Sequence, residues 1–139
     1  MRRVAFCILL MSSMGLTALG QGLCEPSYIK SIYFGGGSFF VDRYQTTELK
    51  HFLDSIPNIH NFIITVHSHT DNVGGVEYNE WLSEMRSDSV IELLIENKKI
   101  EEGVIEKKDF GLFNPVYDNT TWEGRRRNRR VDIIFWLAI

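Results

Sequence analysis

Cysteine, proline and long apolar runs are all scarce in this chain of 139 residues, and each shortage closes off a class of protein. Only Cys7 and Cys24 are present, too few for a disulfide-stapled scaffold. Three prolines and no low-complexity tract argue against a disordered or fibrous chain. Basic residues are outnumbered, 15 Lys and Arg against 18 Asp and Glu, which argues against a general nucleic-acid binder. Such proteins depend on a broad basic face that neutralises phosphates. There is no internal repeat, and the length suits one domain with a single core.

The one long apolar stretch is at the start. Arg2 and Arg3 precede Val4 to Leu10 and a weaker run that ends Ala18-Leu19-Gly20. This pattern predicts a secretory signal peptide over residues 1–20, because Ser12, Ser13, Gly15 and Thr17 dilute it below the apolarity of a membrane span. Cleavage would remove two arginines, leave Cys24 as a lone cysteine within a short leader at 21–29, and leave no transmembrane segment in the mature chain. The residues before Cys24 (Gln21, Gly22, Leu23) fit a lipidation signal poorly.

Residues 30–139 read as one α/β domain. Tyr28 to Phe34 is rich in β-branched and aromatic residues and runs into Gly35-Gly36-Gly37, a strand entering a turn. Leu49, Phe52, Leu53 and Ile56 recur at helical spacing behind a cap at Thr46 or Thr47, and Pro57 closes that helix. Asn61 to Val66 is the run of a strand covered on both faces, so strand, helix and strand predict a right-handed crossover. A second helix is expected from about Glu77 to Asn97, a third strand over Val104 to Phe110 at an exposed edge, a short helix or turn at Trp122 to Asn128, and a last strand over Val131 to Leu137. The order βαβαββ makes a two-layer sandwich, helices packed on one mixed sheet.

Within it, Val66 to Arg86 carries the chemistry. Arg86 lies four residues from both Leu82 and Val90, on the apolar stripe rather than the solvated face. A guanidinium there either runs its head to water, pairs with a structural carboxylate, or grips the carboxylate of a ligand, for which its planar fork is suited. Asp71 follows a buried strand at the end where open α/β sheets take ligands. Asn79 and Ser83 share the Arg86 side of the helix. One carboxylate and one guanidinium around a single turn suit a small zwitterion.

His67-Ser68-His69-Thr70-Asp71 also resembles the H-x-H-x-D core of metallo-β-lactamase hydrolases. That pattern continues with His where this chain has Asn72, and the other histidines, His51 and His60, lie upstream, so the zinc ligands fall short. Gly124-Arg125-Arg126-Arg127-Asn128-Arg129-Arg130 has the density of a nucleic-acid patch, yet in an acidic domain it suits local ion pairs or the anionic groups of a polymer. No nucleophile–base pair, phosphate loop or paired carboxylates stand out, so neither an enzyme nor a cofactor is expected.

Together these residues resemble the OmpA-like C-terminal domain, the peptidoglycan-associating module also found in Pal and MotB proteins. The likeness is carried by His69-Thr70-Asp71 with Gly74, Tyr78-Asn79-x-x-Leu82-Ser83-x-x-Arg86, Val90, Phe110-Gly111, Pro115, Asn119-x-Thr121 and Gly124-Arg125-x-x-Asn128-Arg129-Arg130-Val131. It implies non-covalent binding of peptidoglycan through the diaminopimelate residue of the stem peptide, in the periplasm at the cell wall or outer membrane. By resemblance Asp71 takes the ammonium and Arg86 the carboxylate, with Asn79 assisting and Thr70, Leu82, Asn128 and Arg129 lining or bracing the pocket. Other envelope proteins are further expected partners. The alternative is an interaction subunit of an envelope or motility complex with a vestigial pocket. The chain departs from the pattern at Ser68 and Ser87, where relatives carry Gly and Ala, and at Gly35, where an acidic residue commonly follows Phe34.

Overall fold

The computed structural model describes residues 25–138. The expected signal peptide, Cys7, Cys24 and the start of the leader lie outside them. Seven main elements follow in order: β1 (Tyr28–Tyr33), α1 (Arg43–Ser55), β2 (Phe62–His69), α2 (Val76–Ile95), β3 (Ile105–Asp109), α3 (Trp122–Asn128) and β4 (Arg130–Leu137). The strands form one mixed sheet in the order β1-β4-β2-β3. β4 runs antiparallel to both β1 and β2, while β2 and β3 are parallel. β1 and β2 are therefore parallel to one another with β4 laid between them, and the expected α/β sandwich is what forms.

Alternation along the two central strands sends Ile64, Val66, Val131, Ile133 and Phe135 to one face, where they are buried with Leu49 and Leu53 of α1 and Val90 and Leu94 of α2. Each such side chain contributes roughly 1.5–3 kcal/mol by leaving water. The opposite face of β2 carries Thr65, His67 and His69. Its Thr65 accepts a hydrogen bond from the Trp136 indole at 2.9 Å, and its His67 and His69 rings rest on Phe110. Side chains of the sheet and of Phe110, just past β3, thus meet on the second face of this strand.

The boundaries differ from expectation where a better cap was available. α1 starts at Arg43, ahead of the threonines, because the Asp42 carboxylate accepts the Gln45 N–H at 2.9 Å. Thr46 and Thr47 instead donate their hydroxyls to carbonyls one turn back. Gln45 also exchanges two bonds with the backbone of Tyr33, which ties α1 to the end of β1. α2 and β3 each fall within two residues of expectation. β3 is an edge strand, and its Lys107 lies against Glu84, Asp88 and Asp109.

Candidate functional site

The site forms where β2 ends. Ser68 O accepts from the Phe110 N–H at 2.9 Å and from the Ser83 hydroxyl at 3.1 Å, and Gly111 O accepts from Thr70 N–H at 2.8 Å. Gly111 N–H in turn donates to Ser83 Oγ at 3.1 Å. The strand end is thereby clamped between the β3 exit and α2, which fixes Thr70 and Asp71. Both are buried, and the Thr70 hydroxyl donates to Asp71 O.

Asp71 Oδ1 accepts the Val73 N–H at 3.1 Å, an Asx turn that starts the loop into α2. The loop closes through Gly74, whose φ of +95° is open to glycine alone, with Tyr78 packed on it. Asp71 Oδ2 accepts from Arg129 Nη1 at 3.0 Å, and Arg129 Nε donates to Phe34 O at 3.1 Å. Arg129 therefore joins the β2 end to the β1 end.

Arg86 is fully buried. Neither of the partners foreseen inside the protein is found: the head does not reach water and no carboxylate of the described residues lies within ion-pair distance. Its Nε donates to Ser38 O at 2.8 Å, Nη2 to Gly35 O at 3.0 Å and Nη1 to His69 O at 3.2 Å, while the Phe34 ring faces the guanidinium at 5.1 Å. These acceptors are neutral, so the charge is solvated without being cancelled. Burial pulls the Arg86 pKa down to about 10, opposed by nearby Asp71 and helped by Arg129, so the group stays cationic at neutral pH.

Asn79 is a second unbalanced group. Its amide nitrogen donates to Val73 O and Gly75 O, which fixes the orientation, and its Oδ1 is buried without a donor among the described residues. Of the residues singled out from sequence, Thr70, Asp71, Asn79, Arg86 and Arg129 gather around the β2 end. Leu82 is buried on α2 between them. Asn128 lies farther off as a brace, bonded to Tyr117 N and O and to Asn119 Oδ1. The carbonyls of Gly35 and Ser38 were not foreseen as site groups; Phe34 followed by three glycines was the available hint.

His67 and His69 share the outer face of β2, and His69 stacks on Phe110 at 5.1 Å. No three His, Cys, Asp or Glu side chains among the described residues are grouped to hold a metal. Burial lowers the pKa of both, that of His69 to about 4 with the Arg130 charge adding to the effect. A histidine whose folded pKa lies below its unfolded value near 6.5 stabilises the fold above pH 6.5, and that contribution is lost as pH falls toward 4. His69→Phe should therefore flatten the loss of stability between pH 6.5 and 4 by roughly 2–3 kcal/mol, measured by denaturant titration at both ends. An unchanged slope would show that the ring is not held neutral.

The arginine run resolves into separate local contacts. Arg125 donates to Asn119 O and Thr120 O, Arg127 pairs with Glu123, Arg129 with Asp71 and Arg130 with Asp132, and Arg126 lies over Trp122. Three of the five thus meet carboxylates, as the local ion-pair reading expected.

A family model described as the OmpA family matches residues 33–129, which include Thr70, Asp71, Asn79, Leu82, Arg86, Asn128 and Arg129. The chain belongs to the OmpA family. It is similar to outer membrane porin F of Pseudomonas aeruginosa, 38% identical over 85 residues, which is 61% of this chain and 24% of that protein. Motility protein B of Bacillus subtilis is 40% identical over 75 residues, 51% of this chain and 29% of that protein. The chain thus matches about a quarter of the length of these relatives. The crystal structure of the peptidoglycan-associated lipoprotein from Burkholderia pseudomallei superposes with a TM-score of 0.69 at 24% identity, over 76% of this chain and 88% of that one, and so shows the same OmpA-family fold.

Proposed function

We propose that this protein binds peptidoglycan non-covalently through the diaminopimelate residue of the stem peptide and so positions an envelope component on the cell wall, in the periplasm. The observation that carries the reading is Arg86, a buried cation held only by neutral carbonyls. A buried charge with no carboxylate in ion-pair contact is costly, and a ligand carboxylate would supply that contact. It would take the guanidinium edge now given to Gly35 O and Ser38 O, with those carbonyls turning to water. Asp71 supplies the negative end for the ammonium, and the idle Asn79 Oδ1 is a second acceptor beside it.

Two charge-assisted contacts at about 1.5–3 kcal/mol each give micromolar to millimolar affinity per site. A wall that repeats the same stem converts that into retention when several domains are tethered together. The name of the Burkholderia relative supports this reading.

Co-sedimentation with purified walls tests it. Retention on diaminopimelate-type walls should exceed that on lysine-type walls, which lack the side-chain carboxylate, by about tenfold or more. Equal retention on both would overturn the assignment of Arg86. The likeness to motility protein B favours a second reading, an interaction subunit of an envelope or motility complex. Recovery of one stoichiometric envelope protein without any wall binding would select it.

A further inference from the structure

Three aromatic rings stand exposed beside the pocket. Trp81 on α2 meets Phe39 edge to face at 5.9 Å and Tyr78 at 5.8 Å with a tilt of 36°. They remain open to solvent, Trp81 at 46%, Tyr78 at 44% and Phe39 at 36%, which is unusual for a cluster that could have packed inward.

The cluster is continuous with the pocket. Tyr78 packs on Gly74 in the loop that carries Asp71, and its hydroxyl lies close to Gly37 in the loop that lends two carbonyls to Arg86. We propose that Phe39, Tyr78 and Trp81 form a saccharide platform that takes an amino-sugar ring of the same polymer whose stem peptide enters the pocket. This rests on the wall-binding reading above.

Residue type and surroundings favour a sugar over a membrane or an acidic protein. Flat aromatic faces suit the C–H bonds on one side of a pyranose ring. Glu77 and Glu84, exposed and within one helical turn of Trp81, can accept its hydroxyls and would repel an anionic lipid surface. Distance agrees as well. Trp81 and Arg86 are five residues apart, about 7.5 Å along the helix axis. Diaminopimelate is the third residue of the stem, and a peptide of that length spans up to about 10 Å, so a sugar at its head can reach Trp81.

Calorimetric titration of the purified protein with two soluble ligands tests the platform: the free alanyl-glutamyl-diaminopimelate tripeptide, and the same tripeptide joined to its N-acetylglucosamine–N-acetylmuramic acid disaccharide. The disaccharide form should bind about three- to tenfold tighter, and Trp81→Ala should remove that increment while leaving tripeptide affinity within about twofold. Trp81→Phe should restore most of it. Equal affinity of wild type for the two ligands, or an increment that survives Trp81→Ala, overturns the platform and leaves the pocket reading intact. If neither ligand binds, the pocket reading falls and the platform with it.

Discussion

Arg86→Lys should cost this OmpA-family protein most of its retention on diaminopimelate-type walls while leaving it folded. Lysine keeps the charge but replaces a planar fork of five donors with a point charge of three. It cannot hold a carboxylate in two parallel bonds while still meeting His69 O. The expected loss is tenfold or more, about 1.5–3 kcal/mol per site. Arg86→Ala removes more, because the carbonyls of Gly35, Ser38 and His69 all lose the guanidinium, at about 1–3 kcal/mol for each that water cannot reach, although Gly35 O keeps the Ser38 N–H. That variant mixes folding with binding, which is why lysine is the cleaner test. Wall retention should be measured beside the urea midpoint of each variant. A folded Arg86→Lys protein retained as well as wild type would remove Arg86 from the site.

The second large effect is expected at Gly124→Ala. Gly124 sits in the first turn of α3, where its N–H donates to the Thr121 hydroxyl at 2.9 Å. A Cβ there would overlap the Asp118 carbonyl oxygen and stand 2.8 Å from Thr121 Oγ1. That carbonyl accepts from both Thr121 N–H and its hydroxyl, so the turn before α3 must open. Arg125 and Asn128, which bind the backbone and side chain of Asn119, would lose their partners together. Overpacking of this kind costs roughly 3 kcal/mol, a fall in Tm of about 10 °C for a domain of this size. Wall retention should weaken too, since Arg129 directly follows α3. A Tm within about 2 °C of wild type in differential scanning calorimetry would show that the turn can yield.

The sheet and helices were legible because their signals are local. The apolar run before Val66 and the stripe through Leu82, Arg86 and Val90 state which faces are buried, and Trp122 to Asn128 proved to be a helix of those bounds. Arg86 also announced itself, as a charge on an apolar stripe, and Asp71 as a carboxylate at the end of a buried strand, whereas Arg129 was marked only by the family resemblance. What could not be read is what Arg86 touches. Its partners are backbone carbonyls, which every residue has, so no residue type marks them. The distribution of the five arginines was hidden for a similar reason, since density in sequence says nothing of where each head finds its acceptor. Asp42 was passed over as a cap because two threonines nearer the apolar stripe competed for the role.

The charged edge of the sheet bears on how many copies can crowd onto one surface. Four of the five residues of β3, Glu106 to Asp109, carry charge, and they line a strand whose outer backbone groups have no neighbouring strand among the described residues. An open edge invites another sheet to add on, and charged side chains along it are an effective barrier to that. Molecules held side by side at high local density on a repeating polymer meet edge to edge far more often than in free solution. Where the proposed wall binding brings copies together in this way, Glu106, Lys107, Lys108 and Asp109 would let them collide and part without fusing into a fibre.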